Sequence, residues 1–246
     1  MMQRWSRDTI RFMTDASQYG EYYKQLVSAL LPHLPLEGHV CDAGCGLGFL
    51  ARELSKHCRQ VTAVDASAAA LETLLQGERP ENLKVRHGDI LQMDGDYDAI
   101  VFCYFGKTEE ILSLGATQCR DKILVVRRDC SQHRFSTGTV ERKSHSINTL
   151  TQTLRDLEVP YFSQNLSLEL GQPFRSFADA ICFFHLYNKS SEPVDPESLK
   201  KRLIPLEQGE FTLYYPNTRD MELIVFSAKD LRESWKGKSY HADQGM

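Results

Sequence analysis

Apolar and polar positions along the chain fall into two periods, one of strands and one of helices. From Val40 an apolar stretch runs into Asp42 and then a turn with glycines at 44, 46 and 48. Leu47, Leu50, Ala51, Leu54 and Cys58 follow at helical spacing. Gln60–Asp65 reads as a second short buried strand ending on an acid. Ser67 fits as an N-cap, opening a helix whose Leu71, Leu74 and Leu75 face the sheet and which ends near Gly77. Leu83–Ile90, Asp96–Phe105 and Lys122–Val126 supply three further strands, with a helix between the last two. Strands and helices alternating in this way give a parallel sheet covered by helices on both faces.

The flanking regions carry their own patterns. Residues 19–31 acquire helical apolar spacing (Leu26, Val27, Leu30, Leu31) and stop at Pro32 and Pro35. A helix is expected from Ser146, with Leu150, Leu154 and Leu157 on one face. From Phe162 to Leu170 apolar and polar residues alternate, as in a half-exposed strand at a sheet edge. Residues 171–208 read as an insertion. Its first helix starts with a capping box at Ser176 and Asp179. Phe177, Ala180, Ile181 and Phe184 on one side, with Phe183 and Tyr187 on the other, predict burial on more than one side. Asp195-Pro196-Glu197 opens a second helix. Residues 211–215 and 221–227 read as an antiparallel hairpin, and the chain turns polar after Lys229, with the last ten residues expected to be disordered.

The turn after Val40 carries the chemistry. Glycine serves where the backbone takes positive φ or must approach a ligand without a Cβ. At the carboxyl end of a parallel strand such a turn floors a nucleotide site. The spacing is G-x-G-x-G, not the G-x-G-x-x-G of a pyrophosphate-binding turn, and Asp42 precedes the first glycine by two residues. A carboxylate there repels a pyrophosphate and suits a cation. No Gly-Lys-Ser/Thr follows, which excludes a P-loop. Asp65, 21 residues after Gly44, is placed to bind both hydroxyls of a ribose.

The run Asp42-Ala-Gly-Cys-Gly-Leu-Gly48 closely resembles the first motif of class I S-adenosylmethionine-dependent methyltransferases. The resemblance continues at Asp65, at Gly88-Asp89-Ile90 and at the fourth strand, ending Phe102-Cys103-Tyr104. It covers about residues 38–128 with specific motifs, and beyond them only the order of elements. What it implies is an α/β fold: a Rossmann-like, seven-stranded mixed sheet with helices on both faces, a C-terminal antiparallel hairpin and a helical insertion over the pocket. The corresponding division is an N-terminal helical cap (1–36), the methyltransferase domain (37–230, insertion about 171–208) and a polar tail (231–246). The implied cofactor is S-adenosylmethionine, with S-adenosylhomocysteine as product. Its implied contacts are Asp42, Gly44, Cys45, Gly46, Asp65, Ala66, Asp89, Ile90 and Cys103, with Asp89 on the adenine amino group and Ile90 on the ring. An aromatic of the cap, Tyr19 above all and then Tyr22 or Tyr23, is expected on the cofactor carboxylate or the acceptor.

Transfer of a methyl group from a sulfonium is an in-line displacement, so the protein mainly binds, aligns and dries the reactants. Catalytic residues are therefore faint in sequence. Tyr104 after the fourth strand and His133 after the fifth are the candidates for catalysis. Arg127 and Arg128 are candidates to hold a carboxylate or phosphate of the acceptor, or else to pair with Asp129 or Glu141.

Composition narrows the acceptor. With 246 residues, 41% hydrophobic and 25% charged, the chain is an ordinary globular protein. Its formal net charge of -4 lacks the basic bias of nucleic-acid binders. The Asn/Asp-Pro-Pro-Tyr/Phe motif of enzymes acting on amide or base exocyclic nitrogens is missing after the fourth strand. A small-molecule acceptor is expected, with no nucleic acid and no membrane partner. Seven scattered cysteines complete no zinc site and suit a reducing compartment, and the first residues lack a signal peptide's apolar core, so a cytoplasmic protein is expected. Two alternatives stay open: a non-catalytic S-adenosylmethionine-binding sensor or scaffold, and an NAD(P)-dependent oxidoreductase, which the glycine spacing disfavours.

Overall fold

Five parallel strands follow the alternating block of the sequence. In the computed structural model, which describes residues 5–77, 79–128, 135 and 148–242, these are β1 (His39–Ala43), β2 (Gln60–Asp65), β3 (Leu83–His87), β4 (Tyr97–Cys103) and β5 (Cys119–Arg128). Two later strands, β6 (Tyr161–Glu169) and β10 (Thr218–Ser227), complete a seven-stranded sheet in the order β3-β2-β1-β4-β5-β10-β6. β10 runs antiparallel to both neighbours, which makes the sheet mixed. The chain winds outward from β1 to β3 and then crosses back to β4 beside β1. That reversal opens a crevice above the carboxyl ends of β1 and β4, the place where open α/β sheets bind ligands.

Side chains alternate across the sheet, and each face has its own helices. On one face lie α2 (Tyr22–Leu30), α3 (Phe49–Leu54) and α4 (Ala68–Gln76). Their Leu26, Val27, Leu50, Leu54, Leu71 and Leu74 pack with Val40, Val61, Val101 and Val126. On the other lie α5 (Thr108–Gln118), α6 (Asn148–Asp156) and α9 (Ala228–Ala242), whose Ile111, Leu154 and Leu231 meet Ile100, Phe102, Ile123 and Val125. Leu75, expected on the sheet, is 52% exposed. The helical period groups Leu71 with Leu74 and turns the next residue outward.

A smaller lobe stands beside the sheet. It comprises α1 (Arg7–Tyr19), α7 (Phe177–Tyr187), α8 (Pro196–Arg202) and a three-stranded sheet of β7 (Gln172–Phe174), β9 (Leu213–Tyr215) and β8 (Ile204–Pro205). Phe12, Phe174, Phe183, Phe184, Leu199 and Tyr215 form its core. Two ion pairs tie α1 down: Arg175 grips both oxygens of the buried Asp15, and Arg11 meets Asp179 at 2.7 Å. Ser176 caps α7 by accepting from the Asp179 N–H at 3.1 Å. The Asp179 carboxylate turns instead to Arg11 and to the Arg175 N–H, so the capping box is only half formed.

Three expectations are revised by this arrangement. The N-terminal segment is divided, with α1 in the lobe core and α2 on the sheet. Residues 213–215 do not form a hairpin with 221–227, because Tyr215 buries its ring against Phe184 and β9 pairs with β7 and β8. The antiparallel pair at the end of the main sheet is β10 with β6, and the lobe lies between them in sequence. Finally, the stretch after Lys229, expected to turn polar and to form a tail from 231, continues within α9 to Ala242. Ala228 and Leu231 are fully buried, and Arg232 donates to the carbonyls of Cys119 and Arg120. The polar residues of that stretch include those of a helix with one buried face.

Candidate functional site

The glycine turn follows β1 and is held by β2. The N–H groups of Gly44 and Cys45 both donate to the Val64 carbonyl, at 2.9 and 3.0 Å. Gly44 and Gly46 sit at φ of 69° and 54°, in the left-handed region. A Cβ on Gly44 would lie 2.2 Å from the Phe105 ring, and one on Gly46 would lie 3.0 Å from Trp5. Both the conformation and the close approach of two aromatic rings therefore demand glycine.

Acids stand at the ends of the first three strands. Asp42 is buried beside the turn, and its Oδ2 has no hydrogen-bond partner among the described residues. Burial and the nearby Asp65 charge push its carboxyl up to about 7, against the pull of a backbone hydrogen bond from Ala51. Asp65 accepts from the Gly46 N–H through Oδ2 and from the Ser67 N–H through Oδ1, each at 2.8 Å. Each oxygen keeps a second lone pair for a ligand hydroxyl. Asp89 is exposed and accepts from the Leu91 N–H at 3.0 Å, while Ile90 is buried beneath it. Ala66 is exposed after β2, its carbonyl 3.2 Å from His87 Nε2.

These features fit a ligand with a cationic end and a diol. The buried Asp42 oxygen lacks a donor among the described residues, the turn carries no Cβ at Gly44 or Gly46, and Asp65 is braced with acceptor capacity to spare. A pyrophosphate on the same turn would confront Asp42.

A second cluster gathers where β4 ends. Tyr104 has φ of 57°, a costly conformation for a non-glycine residue and one that collects at functional sites. Its hydroxyl meets that of Tyr22 at 2.7 Å, and both reach Met221 Sδ, at 3.5 and 3.7 Å. Tyr23 stacks edge-on against Tyr22 and lies on Phe49. Burial pushes the Tyr22 and Tyr23 phenols up, and burial followed by the Asp42 charge does the same for the Cys103 thiol. These groups stay protonated at neutral pH, so Cys103 is not a thiolate nucleophile.

The remaining candidates are scattered. Tyr19 lies against Phe211 and Tyr214 in the lobe, and it is Trp5 that stands over Gly46. Arg127 extends on the α5 side of the sheet, where Nη2 donates to Thr108 Oγ1 at 3.3 Å. The side chain of Arg128 and all of Asp129 and His133 fall outside the described residues. Among the described residues, the arginine close to Cys103 and Tyr22 is Arg219 of β10. Nothing local in the sequence marks Arg219, Met221, Phe105 or Trp5, because the sheet order and chain fold bring them here.

Comparison with known proteins agrees with this geometry. The family model described as a methyltransferase domain matches residues 40–117. Among solved structures, the YcgJ protein of Bacillus subtilis superposes with a TM-score of 0.52 at 14% identity, over 83% of this chain and 97% of that one. A candidate methyltransferase of Bacillus halodurans gives a TM-score of 0.53 at 13% identity, over 85% of this chain and 99% of that one. At such identities the likeness is one of fold. No curated protein matches the sequence. Among the described residues no helix is long and apolar enough to cross a membrane. The matched methyltransferase domain, residues 40–117, holds the glycine turn and all three strand-end acids.

Proposed function

We propose that the protein transfers the methyl group of S-adenosylmethionine to a small-molecule acceptor held at the carboxyl end of β4. The observation that carries this reading is the aromatic cluster there. Tyr22, Tyr23, Tyr104 and Met221 gather beside Cys103, and the phenol of Tyr187 in α7 lies within the field of Arg219. An aromatic cluster of this kind, at a strand end and in a chain without a basic bias, suits a compact acceptor better than a polynucleotide.

The chain's own residues have distinct parts in this reading. Asp42 takes the ammonium end of the cofactor, Asp65 holds both ribose hydroxyls, and Asp89 with Ile90 meets the adenine. Gly44, Cys45, Gly46, Ala66 and Cys103 line the path with backbone and small side chains. When bound, the cofactor supplies a methyl group already activated on a sulfonium. What the protein adds is alignment along the attack line and exclusion of water by the aromatic rings. Tyr104, fixed at a strained junction and hydrogen-bonded to Tyr22, marks the acceptor end. The neutral Tyr22, Tyr23 and Cys103 do not compete with the acceptor as nucleophiles. A cytoplasmic setting and no nucleic-acid partner go with this reading.

The test is transfer of a labelled methyl group by the purified protein in parallel incubations. One receives a deproteinised, ultrafiltered extract of the source organism, and the others receive its total RNA, DNA and protein. Label is expected in the ultrafiltrate. Label confined to a macromolecular fraction would overturn the small-molecule assignment.

A further inference from the structure

β10 runs against the parallel strands, so its first residues lie at the sheet's carboxyl edge, where the crevice opens. Met221 is in register with Arg128, the last residue of β5. Arg219 lies two residues before Met221, beyond the end of β5, and therefore projects on the same side of the sheet. That is the side of Tyr22, whose ring centroid is 5.9 Å from the Arg219 guanidinium carbon. The Arg219 charge also acts on Cys103, Tyr23 and Tyr187, opposing the effect of burial on each.

Two polar atoms in this region have no hydrogen-bond partner among the described residues. Arg219 Nε is shut off from solvent with no hydrogen-bond partner among the described residues, and so is the Tyr187 hydroxyl. Arg219 forms no ion pair among the described residues. A guanidinium fork that is partly desolvated and unmatched is costly unless an anion completes it. Its planar donors suit a carboxylate or phosphate bound through two parallel N–H groups. Arg127 does not provide this charge, since it lies on the opposite face against Thr108.

We propose that Arg219, together with the Tyr187 hydroxyl, anchors an anionic oxygen group of the methyl acceptor, so that the substrate is an acidic small molecule. This rests on the small-molecule reading above and adds the substrate's class. The Tyr22–Tyr104–Met221 wall receives the body of the acceptor, and the anchored anion sets which of its atoms points towards the transferred methyl. Arg219 acts by binding and positioning and takes no part in bond making.

The experiment uses the full chain, labelled S-adenosylmethionine and the same ultrafiltered extract, either whole or depleted of anions on a strong anion exchanger. Label incorporation is expected with the whole extract, lost after depletion and restored by the salt eluate. Phosphatase treatment of that eluate separates the sources: persistence identifies a carboxylate, and loss identifies a phosphate ester. Arg219→Gln is expected to cut transfer at least tenfold while leaving S-adenosylhomocysteine affinity and the melting temperature near those of the parent. Arg219→Lys is expected to raise the KM for the eluate acceptor more than it lowers kcat. Undiminished transfer from depleted extract, or by Arg219→Gln, overturns the proposal. Should Arg219→Gln also lose S-adenosylhomocysteine affinity, the depletion result decides alone. No transfer to any small molecule would instead overturn the function on which the proposal rests.

Discussion

Asp42 shows how one residue links the glycine turn to chemistry. Burial and the Asp65 charge raise its carboxyl to about 7, and its Oδ2 lacks a donor among the described residues. Two opposite pH dependences follow. A bound ammonium favours the ionised carboxylate, so cofactor affinity should rise between pH 6 and 8 and binding near pH 6 should release a proton. Folding runs the other way. The folded state holds the Asp42 proton more tightly than the unfolded chain, whose carboxyl has the ordinary value of 3.8. The stability this contributes is fully present below about pH 4 and is lost as pH rises through about 7. Asp42→Asn should flatten both slopes, as read by calorimetric titration in buffers of different ionisation enthalpy and by urea unfolding at pH 5 and 8. Slopes identical to the parent's would refute this account of Asp42. Such residues are legible in sequence because strand, acid and turn are local. Arg219 and Trp5 are not, since the first reads as part of a surface turn and the second as an isolated aromatic.

At the scale of elements, local periodicity and long-range pairing part company. The β1–α3–β2–α4–β3 and β4–α5–β5 order follows from patterns a few residues long, and so does the edge position of β6. Residues 211–215 and 221–227 also look like neighbours in one sheet. Burial of Tyr215 in the phenylalanine cluster draws the first into the lobe, while β10 inserts between β5 and β6. No short window contains that choice. The end of the chain misleads in another way, because α9 has one buried side and a polar remainder. Leu231 is fully buried between this helix and the sheet. Leu231→Ala should therefore lower the unfolding free energy by about 2–5 kcal/mol in urea titrations. A loss below about 0.5 kcal/mol, the scale of a surface substitution, would mean that α9 does not dock.

At the scale of the molecule, two units divide the work. The sheet reverses its winding between β1 and β4 and so places the glycine turn and three strand-end acids around one crevice. The lobe is tied to α1 by Arg175–Asp15 and Arg11–Asp179, and its Tyr187 lies within the field of Arg219. In the proposed function, cofactor recognition lies in the segment whose pattern is legible from sequence, whereas acceptor recognition is assigned to the lobe and to β10. The central claim is that the crevice at the end of β1 and β2 binds S-adenosylmethionine, and calorimetric titration tests it most directly. The parent should bind S-adenosylmethionine and S-adenosylhomocysteine with micromolar affinity. Asp65→Ala, with an unchanged circular dichroism spectrum, should weaken both by more than tenfold, since two hydroxyl contacts to a charged group are lost. Absence of binding by the parent, or equal affinity in Asp65→Ala, would contradict the account.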